Sequence, residues 1–163
     1  MPGPCGMAAP DGTKDRTGAI RLATARLCVL LGWAPLHEVS LPNGRRADIL
    51  ALRPDGGFVC IEVKSGLPDF LADRKWTEYR DYADALYFAV DADFPQDVLP
   101  PDTGIIVAAW GEAALTRTAP AHAIWPARRR ALLQRFARLA ASRLEALQDP
   151  GGAALVRAAL RVE

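Results

Sequence analysis

The sequence predicts an α/β fold, a mixed central β-sheet flanked by helices. Three observations lead there. The chain has 163 residues, half of them apolar and about a quarter charged, which suits one ordinary core. Its hydrophobic periodicities alternate between helical and strand-like, and no repeat or linker cuts it in two. Residues 1–14, with Pro2, Gly3, Pro4 and Gly6, read as a disordered tail, leaving 15–163 as a single domain that includes the C-terminal helices.

From Lys14 to Leu31, Ile20, Ala23, Leu27, Leu30 and Leu31 recur at steps of three and four, which predicts an amphipathic helix with a polar outer face that Gly32 stops. Three strand-like runs follow, Leu36 to Leu41, Ala47 to Leu52 and Phe58 to Lys64. The turn sequences Pro42-Asn43-Gly44 and Arg53-Pro54-Asp55-Gly56-Gly57 make them two consecutive hairpins. Pro68 suits the first turn of a helix running toward Ala85, with an irregularity near Arg74, and Leu86 to Val90 is a fourth strand reached by a crossover. After a loop rich in Pro and Asp come Gly104 to Ala109 and Ala113 to Arg117. Pro126 opens a long helix to about Leu147, and a short helix after Asp149-Pro150-Gly151-Gly152 ends the chain.

Twenty Lys and Arg oppose 19 Asp and Glu, so the net charge of +1 gives no overall bias toward nucleic acid or membrane. The charge is segregated: residues 126–163 carry eight arginines against three acids, whereas 62–112 carry four cations against eleven acids. Three scattered cysteines and two histidines exclude a disulfide framework and a Cys/His zinc site, and no apolar run is long enough for a membrane span. A cytoplasmic protein is expected.

In Phe58 to Lys64 the period of two puts Val59, Ile61 and Val63 on one face and Cys60, Glu62 and Lys64 on the other. If Arg53 to Gly57 form the loop, Leu52 lies opposite Phe58 and Asp48 falls opposite Glu62. Opposed residues have Cβ atoms roughly 4.5 to 5.5 Å apart, where two like charges are destabilising unless a cation sits between them. Mg²⁺ or Mn²⁺ on Asp48 and Glu62, with Lys64 acting on a water or on the charged transition state, makes a plausible phosphodiester-hydrolysing site. The alternative is a solvated Glu62–Lys64 pair on an exposed face, with Asp48 accepting bonds from the Asn43 to Arg46 turn.

The constellation Arg45-Arg46-Ala47-Asp48-Ile49, Ile61-Glu62-Val63-Lys64-Ser65, Asp69-Phe70-x-x-Asp73-Arg74-Lys75-Trp76-x-x-Tyr79-x-x-Tyr82 and Leu86-Tyr87-Phe88-Ala89-Val90 closely resembles the MmcB family of DNA-repair-related proteins, over about residues 15–148. That resemblance implies a restriction-endonuclease-like PD-(D/E)xK core with Asp48 and Glu62 as the metal-binding acids and Lys64 as the catalytic lysine. It also implies DNA, and possible repair-complex proteins, as partners. Two departures from active nucleases stand out. Ala47 replaces the frequent proline, and the first helix lacks the glutamate that many of them use as a further ligand, Glu38 being the nearest acid.

Lys75 and Tyr79, four apart on the predicted helix, are candidate substrate contacts and resemble in placement the Gln-x-x-x-Tyr element of RecB-like nucleases. The alternative has Trp76, Tyr79 and Tyr82 in the core and Arg74, Lys75 and Arg80 paired with Asp73, Glu78 and Asp81. In the helix from Pro126, Leu132, Leu133, Phe136, Leu139, Ala140, Leu144 and Leu147 form one stripe. Arg135 and Arg138 lie on or beside the opposite face as candidate phosphate contacts, or as a solvated surface. Two main functions compete: a metal-dependent DNA nuclease, and a catalytically inactive DNA-binding or protein-interaction module of a repair complex. A small-molecule hydrolase would use the same acids, but no ligand-selecting motif supports it.

Overall fold

The computed structural model describes residues 12–159, so the expected tail is described only from Gly12, where it is already helical. The chain forms two compact units that divide after Ala123. The first holds helix α1 (Gly12–Leu30), strands β1 (Ala34–Ser40), β2 (Arg46–Leu52) and β3 (Phe58–Lys64), helix α2 (Leu67–Ala72), a 3₁₀ helix (Trp76–Tyr82), and strands β4 (Ala85–Asp91), β5 (Gly104–Ala109) and β6 (Glu112–Arg117). The strands lie in sequence order in one mixed sheet. β1, β2 and β3 are antiparallel neighbours, β3, β4 and β5 run parallel, and β6 returns antiparallel.

Turn chemistry sets the register. Arg53 N–H donates to the Gly57 carbonyl and Asp55 Oδ1 accepts from Gly57 N–H, closing the five-residue loop that places Leu52 opposite Phe58. Between β5 and β6 only Trp110 and Gly111 turn the chain, both at positive φ, and Trp110 is fully exposed. β3 is buried along its whole length and β4 along all but its last residue, as expected for central parallel strands.

One face of the sheet packs Ile49, Ala51, Val59, Ile61, Val63, Tyr87, Ala89 and Ile106 against Ile20, Ala23 and Cys28 of α1. The predicted stripe of α1 holds through Ile20, Ala23 and Leu27 and fails at its C-terminal end. Leu30 is 85% exposed and Leu31 is also exposed, while Ile20, Thr24 and Cys28, spaced by four, face inward. The polar Thr24 hides this row from a hydrophobic pattern. Leu22 and Val29 are exposed, so the outer face is not uniformly polar.

The other face carries Phe70, Phe88, Val90, Phe94, Leu99 and Ile105. Phe70 and Trp76 meet Phe88 edge-on at centroid distances of 5.3 and 5.6 Å. Here the single helix expected from Pro68 to Ala85 is broken. α2 ends at Ala72, Asp73 is extended, and the chain resumes as a 3₁₀ helix with Lys75 at its N-cap. The Asp73 carboxylate causes the break by bonding outside the helix, to Lys64 Nζ and Lys75 N–H.

The second unit contains α3 (Pro126–Gln148) and α4 (Pro150–Ala159). Of the predicted stripe on α3, Leu132 and Phe136 are buried while Leu133, Leu144 and Leu147 are exposed. α4 begins at Pro150, ahead of the glycines expected to precede it, because Asp149 Oδ1 accepts from Gly152 N–H at 2.9 Å and caps the new helix. Among the described residues, no helix is long and apolar enough to cross a membrane.

Candidate functional site

Asp48 and Glu62 come together where the pairing of β2 with β3 gives way. The ladder runs from Leu52–Phe58 to Ile49–Ile61 and there stops. Beyond it, side chains take the place of main-chain acceptors: Val63 N–H donates to Asp48 Oδ2 at 2.8 Å, and Asp48 N–H donates to Glu62 Oε1 at 3.3 Å. The β1–β2 pairing also skips this point. It passes from His37–Ile49 to Val39–Ala47, and Glu38, level with Asp48, has a positive φ of 49°. The expected register therefore holds, and it delivers the acids onto the face shared by Leu50 and Cys60.

Glu62 is buried, only 4% exposed, and Asp48 is half-buried. Burial, reinforced by the Asp48 charge, pushes the Glu62 carboxyl up to about 8. Burial also raises Asp48, against the bond from Val63 N–H and the charges of Lys64, Arg21 and Arg46. The pair thus resists joint ionisation. Cys60, next along this face and fully buried, has its thiol raised well above the ordinary value by the same burial and by the neighbouring acids.

Lys64 is not solvated, nor is it paired with Glu62. Its ammonium is buried and donates to Asp73 Oδ2 at 2.7 Å, while Asp73 Oδ1 accepts from Lys75 N–H at 3.0 Å. The Lys64 and Lys75 bonds, with the charges of Lys64 and Arg45, outweigh partial burial and hold the Asp73 carboxyl below its usual range. In the sequence Asp73 figures only as an alternative partner for the cations of its own helix, and its position in Asp73-Arg74-Lys75-Trp76 is the available signal.

The expected local ion pairs are replaced by longer ones. Arg45 grips Glu78 through Nε and Nη2 at 2.7 and 3.1 Å, and Arg80 pairs with Asp102 and lies over the Trp76 ring at 5.1 Å. Tyr79 is buried, with its hydroxyl donating to the Arg46 carbonyl at 3.1 Å. It is a strut between the 3₁₀ helix and β2. Lys75 stands at the helix N-cap with an exposed side chain, so the two residues do not share the α-helical face that their spacing predicts. Asp48 does not accept from the Asn43 to Arg46 turn, which is closed by Asn43 Oδ1 on Arg45 N–H and by Leu41 N–H on the Arg45 carbonyl.

Where the first helix lacks a glutamate it offers Arg21. Nη1 donates to Glu38 Oε1 at 3.0 Å, and the Arg21 charge acts on Asp48. Nothing in the hydrophobic pattern pointed to Arg21. Arg135 and Arg138 lie on α3 in the second unit, with exposed side chains.

The donor set can be tested against a divalent ion. Each acid has one oxygen held by a main-chain N–H, which leaves Asp48 Oδ1 and Glu62 Oε2 unengaged among the described residues. Two carboxylates completed by waters and substrate oxygens fit Mg²⁺ or Mn²⁺, whereas no group of three metal-ligating side chains is present among the described residues.

No curated protein matches this chain. A solved structure of the SPO1766 protein from Silicibacter pomeroyi, described as of unknown function, is similar at 38% identity and a TM-score of 0.77 over 86% of this chain and 94% of its own. The family model for MmcB-like DNA repair proteins matches residues 7–151. With most of its length inside that match, and with the motifs that build the acid pair and its lysine, the chain belongs to the MmcB-like family of DNA repair proteins.

Proposed function

We propose that this protein acts on DNA during repair, in the cytoplasm, through a PD-(D/E)xK-type centre that hydrolyses phosphodiesters. Asp48 and Glu62 hold Mg²⁺ or Mn²⁺, and Lys64 is the catalytic lysine. The observation that carries this reading is the pairing of buried Glu62 with half-buried Asp48 at the end of the β2–β3 ladder, each fixed by a main-chain amide through one oxygen and unengaged at the other. Two acids held together at such a cost to their ionisation make sense in a site that receives a cation.

Held by Asp48 and Glu62, the ion would supply an activated water and positive charge to offset that gathering on phosphorus. The main-chain bonds orient the acids before substrate arrives. Asp73 fixes the Lys64 ammonium on the same face, where its charge favours the transition state over the bound diester. On the second unit, Arg135 and Arg138 are candidate phosphate contacts.

A cleavage screen of single-stranded, duplex and branched DNA with Mg²⁺ and Mn²⁺ tests the proposal, beside a calorimetric titration of Mn²⁺. Asp48→Ala and Glu62→Ala should lose metal and cutting together, while Lys64→Ala should keep metal and DNA and lose turnover. Equal residual cutting by wild type and Lys64→Ala defeats the nuclease reading.

A second reading is a DNA-binding or protein-interaction module of a repair complex that does not cut. It is favoured by the two-acid donor set, which has no third side-chain ligand among the described residues. DNA binding without cleavage or Mn²⁺ uptake supports it.

A further inference from the structure

A polyanion entering this site has to approach two carboxylates, so cations not already engaged must bring it there. The structure sorts the basic residues of this region by that criterion. Lys64 is held by Asp73, Arg21 by Glu38, Arg45 by Glu78 and Arg80 by Asp102. Arg46, Arg74 and Lys75 remain, all exposed and without an ion pair among the described residues. The adjacent Arg45 and Arg46, indistinguishable in sequence, have different work: one clamps the turn to the 3₁₀ helix, and the other is available.

Two of the three stand on main chain tied directly to the site. Arg46 opens β2 two residues before Asp48, on the same side of the strand, and its charge acts on the Asp48 carboxylate. Its carbonyl accepts the Tyr79 hydroxyl. Lys75 N–H donates to the carboxylate that holds Lys64, which fixes where the Lys75 side chain begins. Tyr79 follows Lys75 by four residues, so one 3₁₀ segment carries Lys75 and touches Arg46.

Resting on the proposed action on DNA and naming the substrate contacts of that same site, we infer that Arg46 and Lys75 grip backbone phosphates flanking the phosphodiester presented to Asp48 and Glu62. Contacts of this kind position the strand without reading its sequence. The two residues serve single-stranded and duplex DNA alike.

The test is fluorescence anisotropy of labelled single-stranded and duplex DNA with the full chain in EDTA, so that no cutting intervenes, at NaCl concentrations that define the slope of log K against log salt. Arg46→Ala and Lys75→Ala should each lower the slope by about 0.9 on duplex and about 0.7 on single strands, and the double variant by the sum. Arg53→Ala, roughly 20 Å farther along β2, removes the same charge and should leave the slope unchanged. Arg46→Gln and Lys75→Gln should repeat the losses with less change of shape, and the Tyr79 bond survives them because it ends on main chain. If wild type binds DNA with the same slope as both variants, the inference is overturned while the proposed function stands, and an acidic protein surface becomes the better partner for these residues. Equal losses in Arg53→Ala overturn it in favour of bulk charge. If wild type binds neither DNA in EDTA nor with Ca²⁺ added in its place, the proposed function itself fails.

Discussion

Replacing Glu62 by glutamine should make the protein more stable at neutral pH while abolishing any metal-dependent activity. Glu62 has an ordinary value of 4.5 and is pushed up to about 8 by burial and the Asp48 charge. Because the folded value lies above the unfolded one, the folded state holds the proton more tightly. Below pH 4.5 both states are protonated and Glu62 costs nothing. Between 4.5 and about 8 the unfolded chain releases the proton first, so stability falls as pH rises, and above 8 the loss is complete. At about 1.4 kcal/mol per factor of ten, the loss is roughly 3 kcal/mol at pH 7 and roughly 5 kcal/mol when complete. Glutamine keeps an oxygen for Asp48 N–H and turns an amide toward the acid pair, so the cost disappears without a cavity. Urea unfolding of wild type and Glu62→Gln at pH 5, 6, 7 and 8, in EDTA, should show the gap between the two widening from near zero by a few kcal/mol. Adding Mn²⁺ at pH 7 should narrow it by stabilising wild type alone. A gap that stays constant from pH 5 to 8 refutes the crowding of the two carboxylates.

Three further substitutions test the frame around the site. Asp84→Ala strips the acceptor from Phe58 N–H, a buried 2.7 Å bond at the start of β3, and should cost about 1–3 kcal/mol in urea unfolding. Gly104→Ala puts a Cβ 2.2 Å from the Tyr87 ring and 2.9 Å from Ala119 N, so it should destabilise by about 1–3 kcal/mol, read as a lower urea midpoint with an unchanged m-value. Tyr79→Phe removes only the bond to the Arg46 carbonyl and should cost about 1 kcal/mol. If Tyr79 is a strut and not a substrate ligand, that variant should keep wild-type DNA affinity in the anisotropy assay.

The alternation of Phe58 to Lys64 and the five-residue turn were enough to predict the register that sets Asp48 across from Glu62, because loop length and period two leave one pairing. The break after Ala72 could not be read in the same way. It depends on Asp73 bonding to Lys64 nine residues earlier, and helical periodicity is blind to such a bond. The long-range pairs Arg45–Glu78 and Arg80–Asp102 exist only once the sheet has folded, whereas local spacing suggested neighbours on one helix. On α1 the stripe was right at Ile20, Ala23 and Leu27 and wrong at its end, because buried Thr24 counts as polar and exposed Leu30 as apolar. The candidate site was legible in its acids and lysine, and its supporting residues, Arg21 and Asp73, emerged from the geometry.

The substitution of carboxylates for main-chain acceptors at the end of the β2–β3 ladder gives the centre a built-in spectroscopic reporter. The amide proton of Val63 senses Asp48 through a 2.8 Å bond, and that of Asp48 senses Glu62 at 3.3 Å. As Asp48 gains a proton the Val63 amide resonance should move, and as Glu62 gains one the Asp48 amide resonance should move, so a ¹⁵N-labelled sample reports the two protonations separately. Solvent exchange of the same two amides records how often this corner opens, since neither has a strand partner to protect it when its carboxylate lets go.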